Sequence, residues 1–231
     1  MALTDAVAIV TGASSGIGEA TAEALGREGY TVVLVARRKA RLEAIAERMD
    51  ASTLVIPADV TDENAVSTMV ETVREELGGI DVLVNNAGIG GAGRVDEAAL
   101  AELRRTIRIN LEGAMNVTHA ALPTILESGG GDIVTVSSLN VRFPAAGASG
   151  YTASKFGVNG FCRALRKELS EEPVRVTIVM PGPVVTELND WEHWDGRAMD
   201  PDDVAETVVF AISRPDHVEL TEISVDTTEK L

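Results

Sequence analysis

The sequence is short of several things, and each scarcity removes a class of explanation. A single cysteine, Cys162, excludes an internal disulfide, and three scattered histidines, His119, His193 and His217, with no cysteine beside them offer no metal-ligand spacing. No metal is therefore expected. No apolar run approaches the roughly 20 residues that cross a bilayer, and the opening MALTDAVAIV lacks the basic, apolar, small-residue order of a secretory signal. The expectation is a soluble, cytoplasmic chain with no membrane partner. Positive charge is scarce as well: 20 Lys and Arg stand against 36 Asp and Glu, a formal net charge of −16. A field of that sign repels nucleic acid and anionic lipid, so neither is an expected partner. Only Lys39, Lys155, Lys167 and Lys230 are lysine, and so acidic and lysine-poor a composition fits either adaptation to high salt or an ordinary acidic protein.

What is present is an apolar chain with a regular alternation. At 231 residues and 45% hydrophobic content it can bury one sizeable core, which predicts a single domain over 1–231. Apolar, β-branched runs recur at 6–11, 31–35, 53–58, 81–86, 132–138, 174–180 and 219–226. Between most of them lie segments of helical period, such as RLEAIAERM and ENAVSTMVETVREEL. Alternating strands and helices predict an α/β, Rossmann-type, doubly wound fold: a mainly parallel seven-stranded sheet with helices on both faces.

The first strand runs into TGASSGIG, residues 11–18, which packs Gly12, Gly16 and Gly18 into the turn before a helix. In such a sheet that turn is where backbone N–H groups and a helix dipole meet a pyrophosphate, and side chains would block its approach. The spacing lacks a Gly-Lys-Ser/Thr ending, which disfavours a triphosphate loop and favours a dinucleotide. The plainer alternative is a turn whose glycines only let helix and strand pack closely.

Taken together, the ordered motifs resemble the short-chain dehydrogenase/reductase family in its shorter, single-domain branch. They are TGASSGIG, DVTD at 59–62, NNAG at 85–88, IRINLEG at 107–113, Ser138, YTASK at 151–155 and PGPVVT at 181–186. The resemblance implies a cofactor site formed by Gly12, Ser14, Ser15, Gly16, Ile17 and Gly18. It adds Asp59 and Val60 beside the adenine, Asn86, Ala87 and Gly88 along the ribose, and Pro181, Gly182, Val184 and Thr186 near the nicotinamide. It also implies that Tyr151 and Lys155 touch the cofactor, and that Asn110 sits at a helix bend holding a water that links Lys155 to solvent. A homodimer or homotetramer is the assembly that the family suggests. ARRKARLEAIAE and the short C-terminal end resemble its NADP-linked 3-hydroxy acid dehydrogenases, and 3-oxoacyl-carrier-protein reductase is a broader resemblance.

The chemistry can also be argued from the residues. Reducing a carbonyl by hydride needs a proton donor at the oxygen, and a tyrosine near pKa 10 serves only if its phenolate is stabilised. Lys155, four residues after Tyr151 on one helix face, is expected to lower that pKa. Ser138, near the end of the preceding strand, is placed to hydrogen-bond the substrate oxygen. Asn110, Ser138, Tyr151 and Lys155 are thus the candidate catalytic set. By themselves Ser138 reads as a strand-end cap and Asn110 as a polar residue at a bend. The histidines are not placed near Ser138, which disfavours a hydrolase, and Cys162 reads as buried packing.

At the end of the second strand, where an NAD enzyme of this fold usually has an acid, the chain reads VLVARRKAR. Arg37 and Arg38 can bind a 2′-phosphate by charge-assisted hydrogen bonds, so NADP(H) is the expected cofactor. A solvated basic helix start is the plainer reading. The segment 187–200 carries both tryptophans, Trp191 and Trp194, although aromatics are only 3% of residues. It is expected to be a substrate-selecting lid with Gly196 as hinge, or else a short surface helix whose tryptophans pack on the core. Ser138, Val141, Phe143 and Tyr151 are expected to line a pocket for a compact alcohol or carbonyl substrate. Two functions follow: an NADP-dependent alcohol dehydrogenase or ketone reductase, or a non-catalytic dinucleotide-sensing regulatory protein on the same fold.

Overall fold

Seven segments rich in Val, Ile and Leu form the seven strands of one sheet: β1 (Val7–Thr11), β2 (Thr31–Ala36), β3 (Thr53–Pro57), β4 (Val82–Asn85), β5 (Gly131–Val136), β6 (Val174–Pro181) and β7 (Glu222–Val225). The structure is a computed structural model that describes residues 6–91, 93–188 and 197–228. The strand order is β3-β2-β1-β4-β5-β6-β7, and every neighbouring pair is parallel. The sheet is therefore wholly parallel, where the sequence predicts a mainly parallel one. Even β7, the short edge strand, runs parallel to β6.

The helices are α1 (Gly16–Arg27), α2 (Lys39–Arg48), α3 (Glu63–Leu77), α4 (Leu100–Ile107), α5 (Gly113–Glu127), α6 (Ser149–Glu168) and α7 (Pro201–Ile212). Local chemistry sets their ends. The Asp62 carboxylate accepts from the N–H groups of Asn64 and Ala65 at the start of α3, and Gly78, at φ +84°, ends it. Pro201 opens α7 within an Asp200/Asp203 capping box.

Alternate residues along each strand feed opposite cores. Ile9, Val33, Val35, Leu83 and Ile133 pack with Met69, Val73, Val117, Ile125 and Val158 on the side of α3, α5 and α6. Their neighbours Val10, Val32, Leu34, Val84 and Val134 pack with Leu25, Leu42, Val204 and Val208 on the side of α1, α2 and α7. This period-two division is what a sheet buried on both faces requires. Because β1 lies between β2 and β4, the winding direction reverses there, and the crevice for a ligand opens beyond the carboxyl ends of β1 and β4. Among the described residues no helix is long and apolar enough to cross a membrane.

Candidate functional site

The glycine turn stands at the mouth of that crevice. Gly12 and Gly16 take φ values of +67° and +57°, a region that residues with a Cβ seldom adopt. A Cβ on Gly12 would come within 2.8 Å of the Ala87 Cα and the Asn86 Nδ2, and one on Gly16 within 2.9 Å of the Thr186 Cγ2. Gly18 has a different role: a Cβ there would run into the Gly12 carbonyl oxygen and the Asn86 side chain. It therefore lets α1 approach β1, so the packing reading holds for this glycine while the first two shape the cradle. Thr11 joins the turn to β4, its hydroxyl accepting from the N–H groups of Asn86 (3.0 Å) and Ala87 (3.1 Å) and donating to the Val84 carbonyl (3.2 Å).

Beyond the glycine turn the crevice becomes a cavity of about 770 Å³. Ser138, Tyr151 and Lys155 meet on its wall. Ser138 follows β5 with an extended backbone, its hydroxyl accepting from the Asn140 N–H at 3.1 Å, while one turn of α6 brings Tyr151 and Lys155 onto the same face. Lys155 is only 5% exposed; its ammonium donates to the Val136 carbonyl at 2.7 Å and lies 5.7 Å from the centre of the Tyr151 ring. Burial pulls the Lys155 pKa down to about 8. Tyr151 moves the opposite way from the sequence expectation: burial raises it, and the opposing influence is a hydrogen bond with Ser138 rather than the charge of Lys155. The reason is that Tyr151 is itself buried and that Lys155, with its pKa at about 8, has lost its charge before a tyrosine raised above 10 ionises.

Asn110 does lie at a helix irregularity, a π-helical turn over Arg108–Glu112 between α4 and α5. Its amide holds the backbone of Ile89 from both sides, accepting from the Ile89 N–H at 2.8 Å and donating to its carbonyl at 3.0 Å. It also donates to the Ser154 hydroxyl at 3.0 Å, which in turn donates to the Tyr151 carbonyl at 2.6 Å. Asn110 thus braces the loop after NNAG and the first turn of α6.

The opposite end of the cavity is basic. Arg38 donates from Nε to the Ser14 hydroxyl (3.0 Å) and from Nη2 to the Ser15 hydroxyl (2.6 Å) and the Ser14 carbonyl (3.3 Å). Its Nη1 reaches Glu187 at 2.8 Å, and Arg41 grips the same carboxylate. Arg37 faces Asp59 at 3.9 Å. Asp59 loses some acidity to burial, but hydrogen bonds from the Thr61 N–H and hydroxyl and the charge of Arg37 outweigh it and lower its pKa.

The family profile described as short chain dehydrogenase matches residues 6–195. The chain belongs to the short-chain dehydrogenases. An uncharacterised oxidoreductase of Staphylococcus saprophyticus is 37% identical over 228 residues, covering 96% of this chain and 97% of that one. One from Staphylococcus aureus strain MW2 is 35% identical over 225 residues, with the same coverage. Among solved structures, 3-ketoacyl-(acyl-carrier-protein) reductase from Brucella melitensis, complexed with NADH, superposes with a TM-score of 0.91 at 31% identity, covering 97% of this chain and 98% of that one. Alcohol dehydrogenase from Thermococcus sibiricus, complexed with 5-hydroxy-NADP, gives 0.87 at 30% identity, covering 95% of both chains. A metagenomic short-chain oxidoreductase in complex with NADP gives 0.87 at 33% identity over the whole of both chains.

In this short-chain dehydrogenase the expected cofactor residues from all motifs border the one cavity, Gly18 excepted. Phe143 lines it too, but Val141 turns inward and packs against the core instead. Cys162 is buried, and His119 and His217 are exposed on helix and loop. Of the expected lid, residues 189–196, including Trp191, His193, Trp194 and Gly196, lie outside the described residues. Its described flanks are clasped, Val184 bridging Met199. Sequence reasoning missed Thr11, Ser154, Asn116 and Glu187. Thr11 and Ser154 lie inside quoted motifs and were open to notice; Asn116 holds the Val60 carbonyl at 3.1 Å from 56 positions away, and no local signal marks it.

Proposed function

We propose that the chain is an NADP-dependent oxidoreductase that interconverts a small alcohol and its ketone, with Tyr151 as general acid and base. The observation that carries the reading is the meeting of Ser138, Tyr151 and Lys155 on the wall of a cavity whose other end is a glycine cradle. The cradle suits a dinucleotide: its positive-φ glycines and the open N-terminus of α1 present backbone N–H groups without side chains in the way. Thr186 and Val184 would border the nicotinamide, and Asp59 and Val60 the adenine.

A bound nicotinamide supplies or accepts the hydride. The chain's own part is the proton and the oxygen. In reduction the Tyr151 hydroxyl gives its proton to the substrate oxygen as the hydride reaches the carbonyl carbon, and the oxidation reverses both transfers. The Ser138 hydroxyl donates to the same oxygen while charge develops on it. Lys155, with its pKa at about 8, is mostly an ammonium at pH 7, and its positive charge favours the transient phenolate. Asn110 acts behind this set, through Ile89 and Ser154.

The preference for NADP(H) rests on the basic end. Arg38, held by Ser14 and Ser15, and Arg41 beside it can take the two-pronged hydrogen bonding that a 2′-phosphate offers. Support for a compact substrate comes from Phe143, Ala145 and Ala148, which border the cavity near Tyr151. A panel of ketones and alcohols, including 3-oxo and 3-hydroxy acids, assayed with both nicotinamide cofactors, tests the reading. Turnover with NADP(H) and its loss in Tyr151→Phe support it; tight cofactor binding with no turnover of any compound points to a sensor instead.

A further inference from the structure

Glu187 is the residue that immediately follows the PGPVVT stretch, and its carboxylate spans two arginines of the second β-α unit. One oxygen accepts from Arg38 Nη1 at 2.8 Å and the other from Arg41 Nη1. The hydrogen bonds from Arg38 and then Arg41 hold its pKa at about 2, so it is an anion at every working pH. The partners are far from it in the chain, 149 and 146 positions away, and the cluster is half open to solvent. A half-exposed ion cluster adds little to folding stability, so its position matters more than its strength.

The position is informative because of what Arg38 has left to offer. Its Nε and Nη2 are committed to Ser14 and Ser15, which orient the guanidinium against the glycine turn. Its Nη1 is the nitrogen not committed to the glycine turn, and it donates to Glu187. An incoming anion that seeks Arg38 and Arg41 together meets a carboxylate already seated between them. On the same side, Arg37 looks toward Asp59.

We infer that Glu187 is a specificity-determining residue, an internal anion that competes with the cofactor's 2′-phosphate for Arg38 and Arg41 and so narrows the preference for NADP(H) over NAD(H). The inference rests on the NADP reading above. A 2′-phosphate, with nearly two negative charges, gains the arginines only by displacing the carboxylate, and it is repelled wherever the carboxylate stays close. A cofactor with a bare 2′-hydroxyl asks for neither arginine and is not subject to this competition. Glu187 therefore weakens one cofactor selectively, in contrast to the diffuse repulsion that the chain's net charge exerts on both.

Calorimetric titration with 2′-AMP, 5′-AMP, NADP+ and NAD+ at fixed ionic strength tests the inference without turnover. Glu187→Gln removes the charge and keeps the size. It is expected to tighten 2′-AMP and NADP+ by about 3–10-fold, as loss of two exposed charge pairs implies, and to leave 5′-AMP and NAD+ within about 2-fold. Glu43→Gln, which removes an equal charge from α2 where Glu43 pairs with Lys39, controls for net charge and should change NADP+ by much less. Equal tightening of NADP+ and NAD+ in Glu187→Gln, or equal effects of the two variants, overturns the competition. If both wild type and Glu187→Gln prefer NADP+ to the same degree, the inference alone fails. If neither prefers it, the NADP reading fails and the inference with it.

Discussion

The ammonium of Lys155 lies 5.7 Å from the centre of the Tyr151 ring and gives its hydrogen bond to the Val136 carbonyl at the end of β5. The lysine is thus anchored to the sheet, with the tyrosine beside it on α6. Burial pushes the two pKa values in opposite directions, the tyrosine up and the lysine down to about 8, and each shift favours the neutral form. In the free protein the pair is therefore a neutral acid beside a cation that holds its proton with difficulty.

Tyr151→Phe removes the proton donor and keeps the ring. Turnover is expected to fall by about 10²–10⁴-fold, the usual worth of a general acid, with the cofactor dissociation constant within a few-fold of wild type. Steady-state kinetics alongside cofactor titration separates the two. Activity within a few-fold of wild type removes Tyr151 from the mechanism.

The Lys155 shift makes a statement about stability. A lysine whose pKa falls from 10.5 to about 8 on folding costs the native state about 3 kcal/mol wherever both states are protonated, below pH 8. Between pH 8 and 10.5 the unfolded chain binds more protons than the native one, so the penalty fades as pH rises. The stability of the wild type relative to Lys155→Met, from urea unfolding, should therefore increase from pH 7 toward pH 10.5 by up to about 3 kcal/mol. A difference independent of pH contradicts the shift.

Gly18→Ala places a methyl group against the Gly12 carbonyl and the Asn86 amide. Overpacking of this kind costs roughly 1–3 kcal/mol, and the displacement passes straight into the cradle. Lower thermal stability and weaker binding of both cofactors are expected together. A variant that binds as tightly as wild type and melts at the same temperature shows that α1 can move off β1 freely.

Arg38→Leu removes the guanidinium that Ser14 and Ser15 hold in place. Charge-assisted hydrogen bonds are worth about 1.5–3 kcal/mol, so kcat/KM with NADP(H) should drop about 10–100-fold, and with NAD(H) much less. Equal losses with both cofactors would show that Arg38 serves the glycine turn and not the 2′-phosphate.

With 36 acidic and 20 basic residues and a formal net charge of −16, the chain is expected to repel itself in dilute buffer. Salt screens such repulsion over a Debye length of about 10 Å at 0.1 M. The melting temperature is expected to rise from dilute buffer to molar potassium chloride. A flat or falling curve means the acidic composition carries no demand for salt.

Much of this molecule is written in short stretches of its sequence. Most strands, β1, β2, β4 and β6 above all, are runs of apolar and largely β-branched residues buried on both faces, so local composition marks their place and, with helices between, the parallel sheet. The glycine turn and the Tyr151–Lys155 spacing are equally local: a positive φ calls for glycine, and one helical turn carries a side chain to the same face. Tertiary structure decided everything that depends on residues far apart in the chain. It set Glu187 between Arg38 and Arg41 across 149 and 146 positions, joined Asn110 to Ser154 across 44, and turned Val141 away from the cavity that Phe143 borders. It also reversed the expected direction of the Tyr151 shift, because desolvation is a property of what surrounds a group in space, and neighbours in sequence do not report it.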